Sequence, residues 1–498
     1  MEGYSQYRRL VEAVTTPNKL GSQTSLSSDS ALEKSENNGE FDVTFGEGDV
    51  HDPKQWSKGW KLLYIGIIWW LVFFAGWSSA ADSTSHDTAD RFLHVSQVAE
   101  SLATANFLWG VAAGALIAGP LSETVGRLPT YLATYAGFLI WVMASALAPN
   151  FGAQITFRFF AGFFSSASMS IYGGSMADLF EPEERASIWP VFALSPLLGP
   201  TIAPIASGWI VEKLGWRWVD WMTLILAGWA FAVAFCCLPE TLSPVILSYK
   251  ASILRKTTGD DRFESDFDRQ EGLSVRLGNN LKRIVYFVAV ELTTVLFSLY
   301  LTLLYLLIFG FLEGFDFIFS DTYHFGIGHR YSAFAAVAVG MVVGLPYVLL
   351  VKWVARSKQS AEPGPEQRLT PSLLAAPLLA GSLFWLGWTN FATISFWSDL
   401  IACCVFGFSV YVLFTSTYHY LLDTYGSVAS SAMAAATFTR YMASGGMIMA
   451  TEPMYDAIGV QWSLTIFGCV AAALVPVPWL FWWYGEIIRK RSKWASSD

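Results

Sequence analysis

The sequence predicts an all-α integral membrane protein: twelve transmembrane helices arranged as two six-helix pseudo-repeats. Three observations carry that prediction. Of the 498 residues, 53% are hydrophobic and 14% charged, against about 25% charged in an ordinary soluble chain. Twelve apolar runs each approach the ~20 residues a helix needs to cross the hydrocarbon of a bilayer. They fall into two sets of six, parted by one long polar connection, 240–283. A soluble all-α core would need polar helix faces that these runs mostly lack.

The runs occupy 61–80, 98–118, 128–147, 153–176, 187–210 and 217–238, then 284–311, 331–354, 371–389, 395–418, 428–450 and 461–484. This divides the chain into bundles at 56–239 and 284–485, joined by the 240–283 loop. Residues 1–55 are rich in Ser, Glu and Asn and poor in aromatics, a composition that predicts a disordered tail. Residues 486–498 form a short basic tail. With the N-terminus cytoplasmic, the inside segments hold 21 Lys and Arg and the outside segments four. Both termini and the central loop are therefore expected inside. The plasma membrane is the expected location, with the vacuolar membrane as the alternative.

Within this frame, polar residues stand out. GPLSETVGRLP (Gly119–Pro129) is a cytoplasmic turn between the second and third spans. Gly119 and Gly126 allow close packing of helix ends. Glu123 and Arg127, four apart, can pair with each other or reach the end of a neighbouring helix. In the fifth span, GPTIAPIASG (Gly199–Gly208) places prolines at 200 and 204 among small residues, which bends a helix and permits close approach. Gly162 precedes Asp178 by the same distance as Gly407 precedes Asp423, a faint echo between the halves.

Arg158 lies in the fourth span and Arg440 near the middle of the eleventh. A charge within a span costs at least ~2.5 kcal/mol on insertion scales, so each is expected to face a cavity or a polar partner. In the seventh span, Glu291, Thr294, Ser298, Thr302, Tyr305, Glu313 and Asp316 share one arc of the helix. Ser298, Thr302 and Tyr305 are expected to line a cavity, because lipid cannot satisfy them. Glu291 and Asp316 are expected in headgroup water. Glu313, near the outer end, is the preferred titratable acid. The first outer loop, with Asp82, His86, Asp87, Asp90 and His94, is expected to be solvated.

These stretches together resemble the major facilitator superfamily, specifically the fungal twelve-span drug:proton antiporters of polyamine and multidrug transporter type, over roughly residues 53–495. GPLSETVGRLP matches the family's loop between spans two and three, with Glu123 at its acidic position and Gly126-Arg127 at its Gly-Arg. RFFAG (Arg158–Gly162) matches the fourth-span arginine motif. GPTIAPIASG is similar to the fifth-span antiporter motif, with Gly199, Pro200, Pro204 and Gly208 retained and Ala203 and Ser207 replacing glycines. DLFEPEER (Asp178–Arg185), WRWVDW, LPETLSPVIL and YLLDTYGSVASSAMAAATFTR, which holds Asp423 and Arg440, resemble further fungal signatures. Thr124 and Leu128 stand where the loop often carries basic residues. The resemblance implies gating by the loop, sealing of the halves by the fifth span, and coupling of proton to substrate movement by Arg158.

Other classes find little support. The six histidines form no metal-ligand pattern, no phosphate-binding loop is present, and the five cysteines sit in apolar runs. The net charge of −9 does not suggest nucleic-acid binding. The expectation is a monomeric, cofactor-free secondary transporter that is not an enzyme. Its partners are protons, the bilayer and a small organic substrate such as a toxin, drug or fungal metabolite. Polyamine or organic-cation transport is the alternative, and a transport-inactive sensor or scaffold is the alternative of another class.

Overall fold

A computed structural model describes residues 2–15, 32–34, 41–46, 48–86, 88, 95–265, 267, 272–358, 364–425, 429–490 and 492. Among them, ten helical segments are long and apolar enough to cross a membrane. The last, Ser431–Arg489, holds two crossings, because Gly459 breaks the helix Ala429–Leu474 with a φ of 76°. That left-handed conformation suits glycine. Helix Phe151–Leu179 supplies a further crossing, less apolar because Arg158, Ser165, Ser166 and Ser168 lie along its buried side. The total is twelve. An even number of crossings makes the first span begin and the last span end on the same face, the terminal face.

In the first half the spans are Lys58–Ala81, Gln97–Val125, Arg127–Ala146, Phe151–Leu179, Ser195–Leu214 and Arg217–Cys237. A shorter helix, Pro182–Phe192, leads into the fifth. Pro200 and Pro204 lie inside that span. The second half begins with Leu292–Phe315 and continues through Phe334–Lys358, Thr370–Thr389 and Phe396–Tyr425 before the pair divided at Gly459. Across the two halves, the second span packs on the eleventh and the fifth on the eighth. Large apolar side chains such as Ile140, Trp229, Val339, Trp353 and Trp462 remain exposed on the outside, as lipid-facing positions should.

Glycine sets the closest crossings. A Cβ at Gly162 would lie 2.0 Å from the carbonyl oxygen of Phe107 in the second span. One at Gly407 would lie 2.0 Å from that of Val337 in the eighth. The echo in the sequence is thus a repeated helix crossing, where only glycine lets two backbones approach.

Three expectations about the polar segments are corrected. Residues 1–55 are not uniformly disordered: Glu2–Thr15 is helical, and Leu32–Lys34 pairs antiparallel with Phe41–Val43. Gly3, Gln6, Leu10 and Val11 recur at helical spacing, a stripe that composition averaged over 55 residues conceals. Leu10 buries against Ile246 and Ile253. The 240–283 connection also carries structure, with helices Ser243–Thr258 and Leu273–Ala289 and a strand, Phe263–Glu264, parallel to Phe41–Val43. Consequently the seventh span starts at Leu292 rather than 284, since the backbone turns at Val290 and Glu291. Asp87, Asp90 and His94 of the first outer loop and most of the 486–498 tail lie outside the described residues.

Candidate functional site

Three polar layers cross the apolar body. On the terminal face, Gly126 has a φ of 108°, which ends the second span and starts the third within one residue. Arg127 then turns inward, its Nε 2.9 Å from Asp178 Oδ2 at the end of the fourth span. It also donates from Nη1 to Ser122 Oγ at 2.6 Å. Glu123 pairs with Arg276 of the connecting helix at 3.5 Å. Arg127 and Glu123 therefore each take a partner outside the turn rather than forming the i,i+4 pair. At Gly119 a Cβ would meet nothing within 4 Å, so close packing there is not observed.

The second half repeats the device. Arg368, at the start of the ninth span, lies 2.8 Å from Asp423 near the end of the tenth, Nε to Oδ2 as in the first half. Asp423 also meets Arg185 of the first half at 3.7 Å. Trp189 Nε1 donates to Thr415 O at 3.2 Å, and Tyr411 Oη to Pro190 O at 2.7 Å. These contacts hold the halves together on the terminal face.

Glu240 organises the turn from outside it. Its carboxylate accepts from the backbone N–H of Arg127 and Leu128, each at 3.0 Å, and of Thr241 and Leu242, each at 2.9 Å. The first turn of a helix has N–H groups with no partner of its own, and this acceptor supplies one. Burial pushes the Glu240 carboxyl above the usual range, against the pull of those four donors. Its backbone is gripped in turn by Gln6, which accepts from Glu240 N at 2.9 Å and donates to Glu240 O at 3.1 Å.

The middle layer surrounds Arg440. The guanidinium carbon lies 4.4 Å from the Tyr305 ring centre, 5.1 Å from Tyr441, 5.3 Å from Tyr418 and 5.6 Å from Phe414. Trp189 of the first half stacks between Tyr172 and Tyr418. Ser298, Thr302 and Tyr305, predicted to line a cavity, are buried, and none of the three hydroxyls has a hydrogen-bond partner among the described residues.

The third layer lies toward the opposite face. Arg158 is 1% exposed, with Nε 3.4 Å from Asp82 and Nη1 3.5 Å from Asp220. It also donates to Ser78 O at 3.2 Å. Glu100 accepts from Gln154 Nε2 at 2.8 Å. His86 Nδ1 lies 3.0 Å from Glu313 Oε1, joining the first span to the seventh across the halves. The opposite face is further closed by Gly328 N donating to Glu212 at 2.8 Å and Trp209 Nε1 donating to Ser332 at 3.0 Å. Gly208 sits against Tyr331 there, and Gly199 packs on the first span, where a Cβ would lie 2.4 Å from Phe73 O.

Both faces are bridged, so this is an occluded arrangement. Several positions correct the sequence reading. Asp82 and His86 are buried rather than solvated, because the first helix runs on as a 3-10 turn, Asp82–Ser85, into the protein. Glu291 is buried near Tyr425, which lies 3.3 Å away, and Asp316 pairs with Arg330 at 2.8 Å. Glu100 and Gln154 were not named from sequence, Asp220 and Glu240 lay unremarked inside WRWVDW and LPETLSPVIL, and Asp82 and His86 were read as solvated loop residues. Their signal was only that each sits within a turn or two of a span end, where polar residues are ordinary.

Two six-span halves, bridged on both faces around a shared polar core, define a multi-pass membrane transporter rather than an enzyme. The Major Facilitator Superfamily model matches residues 62–450. The chain is 43% identical over 458 residues to the MFS-type transporter kojT of Aspergillus flavus, covering 90% of this chain and 81% of that one. It is 32% identical over 455 residues to the citrinin biosynthesis cluster MFS transporter mrr1 of Monascus ruber, covering 90% and 91%. Its fold is similar to that of the proton:xylose symporter XylE bound to 6-bromo-6-deoxy-D-glucose, with a TM-score of 0.63 at 14% identity over 86% of this chain and 96% of that one. The chain belongs to the Major Facilitator Superfamily.

Proposed function

We propose that the protein is a proton-coupled antiporter that exports a small organic molecule by alternating access, with its terminal face cytoplasmic and the plasma membrane as its site. The observation that carries this reading is the buried ion pair between His86 and Glu313, which joins the two halves toward the opposite face. A proton added to the Glu313 carboxylate removes its charge and weakens its hold on His86. The halves then part on that side, and release of the proton toward the other side restores the pair. Arg158 stays charged at any physiological pH. Its role is to pair with Asp82 and Asp220 beside that route, not to carry the proton. The excess of Lys and Arg on the terminal face supports the cytoplasmic orientation. A relative named for a biosynthetic cluster, mrr1 of Monascus ruber, supports a metabolite-like substrate.

Accumulation of a compound panel in cells with and without the protein, with and without a protonophore, tests the reading. Export should collapse with the protonophore. Glu313→Gln should abolish gradient-driven export while leaving substrate exchange at equal pH. Export that ignores both treatments overturns the proposal.

A further inference from the structure

We infer that Arg440 is the anion-recognition point of the substrate site, and that the site takes a small planar organic anion: a carboxylate or an acidic enolate conjugated to a ring. Arg440 is 1% exposed and near mid-span. The rings of Tyr305, Phe414, Tyr418 and Tyr441 surround it, and among the described residues it forms no ion pair. Every other arginine buried in a span here has an acid: Asp178 for Arg127, Asp82 and Asp220 for Arg158.

Burying a cation without a counter-charge is the costliest way to place one. The ring faces compensate it only in part. Its Nη1 donates to Tyr418 Oη, while its Nε has no hydrogen-bond partner among the described residues. Nearby, Tyr305 Oη and Tyr172 Oη are also buried without a partner. Buried polar groups are ordinarily satisfied, so unspent donors around one positive charge point to a missing acceptor. Tyr172 and Trp189 come from the first half, and Arg440, Tyr305 and Tyr418 from the second. A ligand here would therefore touch both moving parts.

The shape of the group follows from the same residues. A guanidinium fork matches the two oxygens of a carboxylate or a chelating enolate. The walls are flat rings, which favour a conjugated, planar body. An organic cation is disfavoured at this position, because it would meet Arg440 with no acid to offset it.

The inference rests on the export reading for its role in transport, but binding tests it separately. The full-length protein in lipid nanodiscs is titrated with radiolabelled salicylate and benzoate, with salicylamide and benzamide as neutral isosteres. Wild type should prefer each anion at least about tenfold. Arg440→Gln should lose about 10- to 100-fold in anion affinity and lose the preference. Arg440→Lys should keep the preference at intermediate affinity. Tyr305→Phe, which keeps the ring, should weaken binding a few-fold. Size-exclusion and thermal unfolding profiles report whether each variant is folded, and the wild-type preference stands as a measure even if Arg440→Gln is not. No anion binding by wild type, equal binding of acid and amide, or full retention in a folded Arg440→Gln overturns the inference. Proton-driven export of a neutral compound that survives Arg440→Gln, with no anion preference, would sink this inference alone. Arg440-dependent anion binding without proton-driven export would support it and sink the export reading instead.

Discussion

Replacing Glu240 by alanine removes the acceptor that four backbone N–H groups share. Two of those donors, Arg127 and Leu128, open the third span, where the helix itself offers them nothing. A buried donor left unpaired costs about 1–3 kcal/mol, so four set a ceiling of about 4–12 kcal/mol. Water entering from the terminal face would satisfy some of them, which lowers the expected loss to about 2–4 kcal/mol. Hydrogen-exchange mass spectrometry measures this where it acts. Amides of 126–130 and 240–243 should exchange about 25- to 700-fold faster in Glu240→Ala, at about 1.4 kcal/mol per tenfold. Amides of the ninth and tenth spans, far from Glu240, should not change. A change below about threefold in the first two segments would refute the view that this carboxylate organises the turn. The same residue predicts a pH effect. Burial raises its carboxyl above the ordinary value, so the folded state holds the proton more firmly than the unfolded chain. Its contribution is full below the unfolded value and falls as pH rises through the folded one. Glu240→Gln cannot titrate, so the wild-type margin over that variant should shrink as pH rises above the ordinary glutamate value of about 4.3, read in thermal unfolding scans.

Other positions give independent tests. Gly162→Ala places a methyl 2.0 Å from Phe107 O, and should cost about 3 kcal/mol or more, read as a lower unfolding temperature and poor yield; Gly407→Ala should behave alike in the second half. Arg158→Gln strands Asp82 and Asp220, and should destabilise by about 3–5 kcal/mol and abolish transport, with part of the stability returning when Asp82→Asn is added. Arg185→Ala removes the ionic link to Asp423, worth about 1 kcal/mol at this partly exposed site, and should raise labelling of a cysteine placed at Ala193 about fivefold as the terminal face opens more often.

The twelve spans, the even crossing number and the position of the terminal-face turn were legible in the sequence. They follow from local properties: apolar length, glycine and proline placement, and the high cost of a bare charge in lipid. The same cost made Arg158 and Arg440 conspicuous before any contact was known. What the two arginines meet was not legible. Asp82 and Asp220 lie 76 and 62 residues from Arg158 along the chain, so only the packing of three spans decides that they share it. Among the described residues Arg440 has no ion-pair partner, an outcome that no pattern in its own helix announces. His86 and Asp82 looked like loop residues because hydropathy averages over a window, whereas the bundle buries single side chains by folding a span end inward. The N-terminal helix was hidden for the same reason, its short stripe diluted by polar neighbours until Gln6 found the backbone of Glu240. Apolar length along one helix sets which segments enter the bilayer. Pairing between helices, which depends on distance in space rather than along the chain, sets what the buried charges can do.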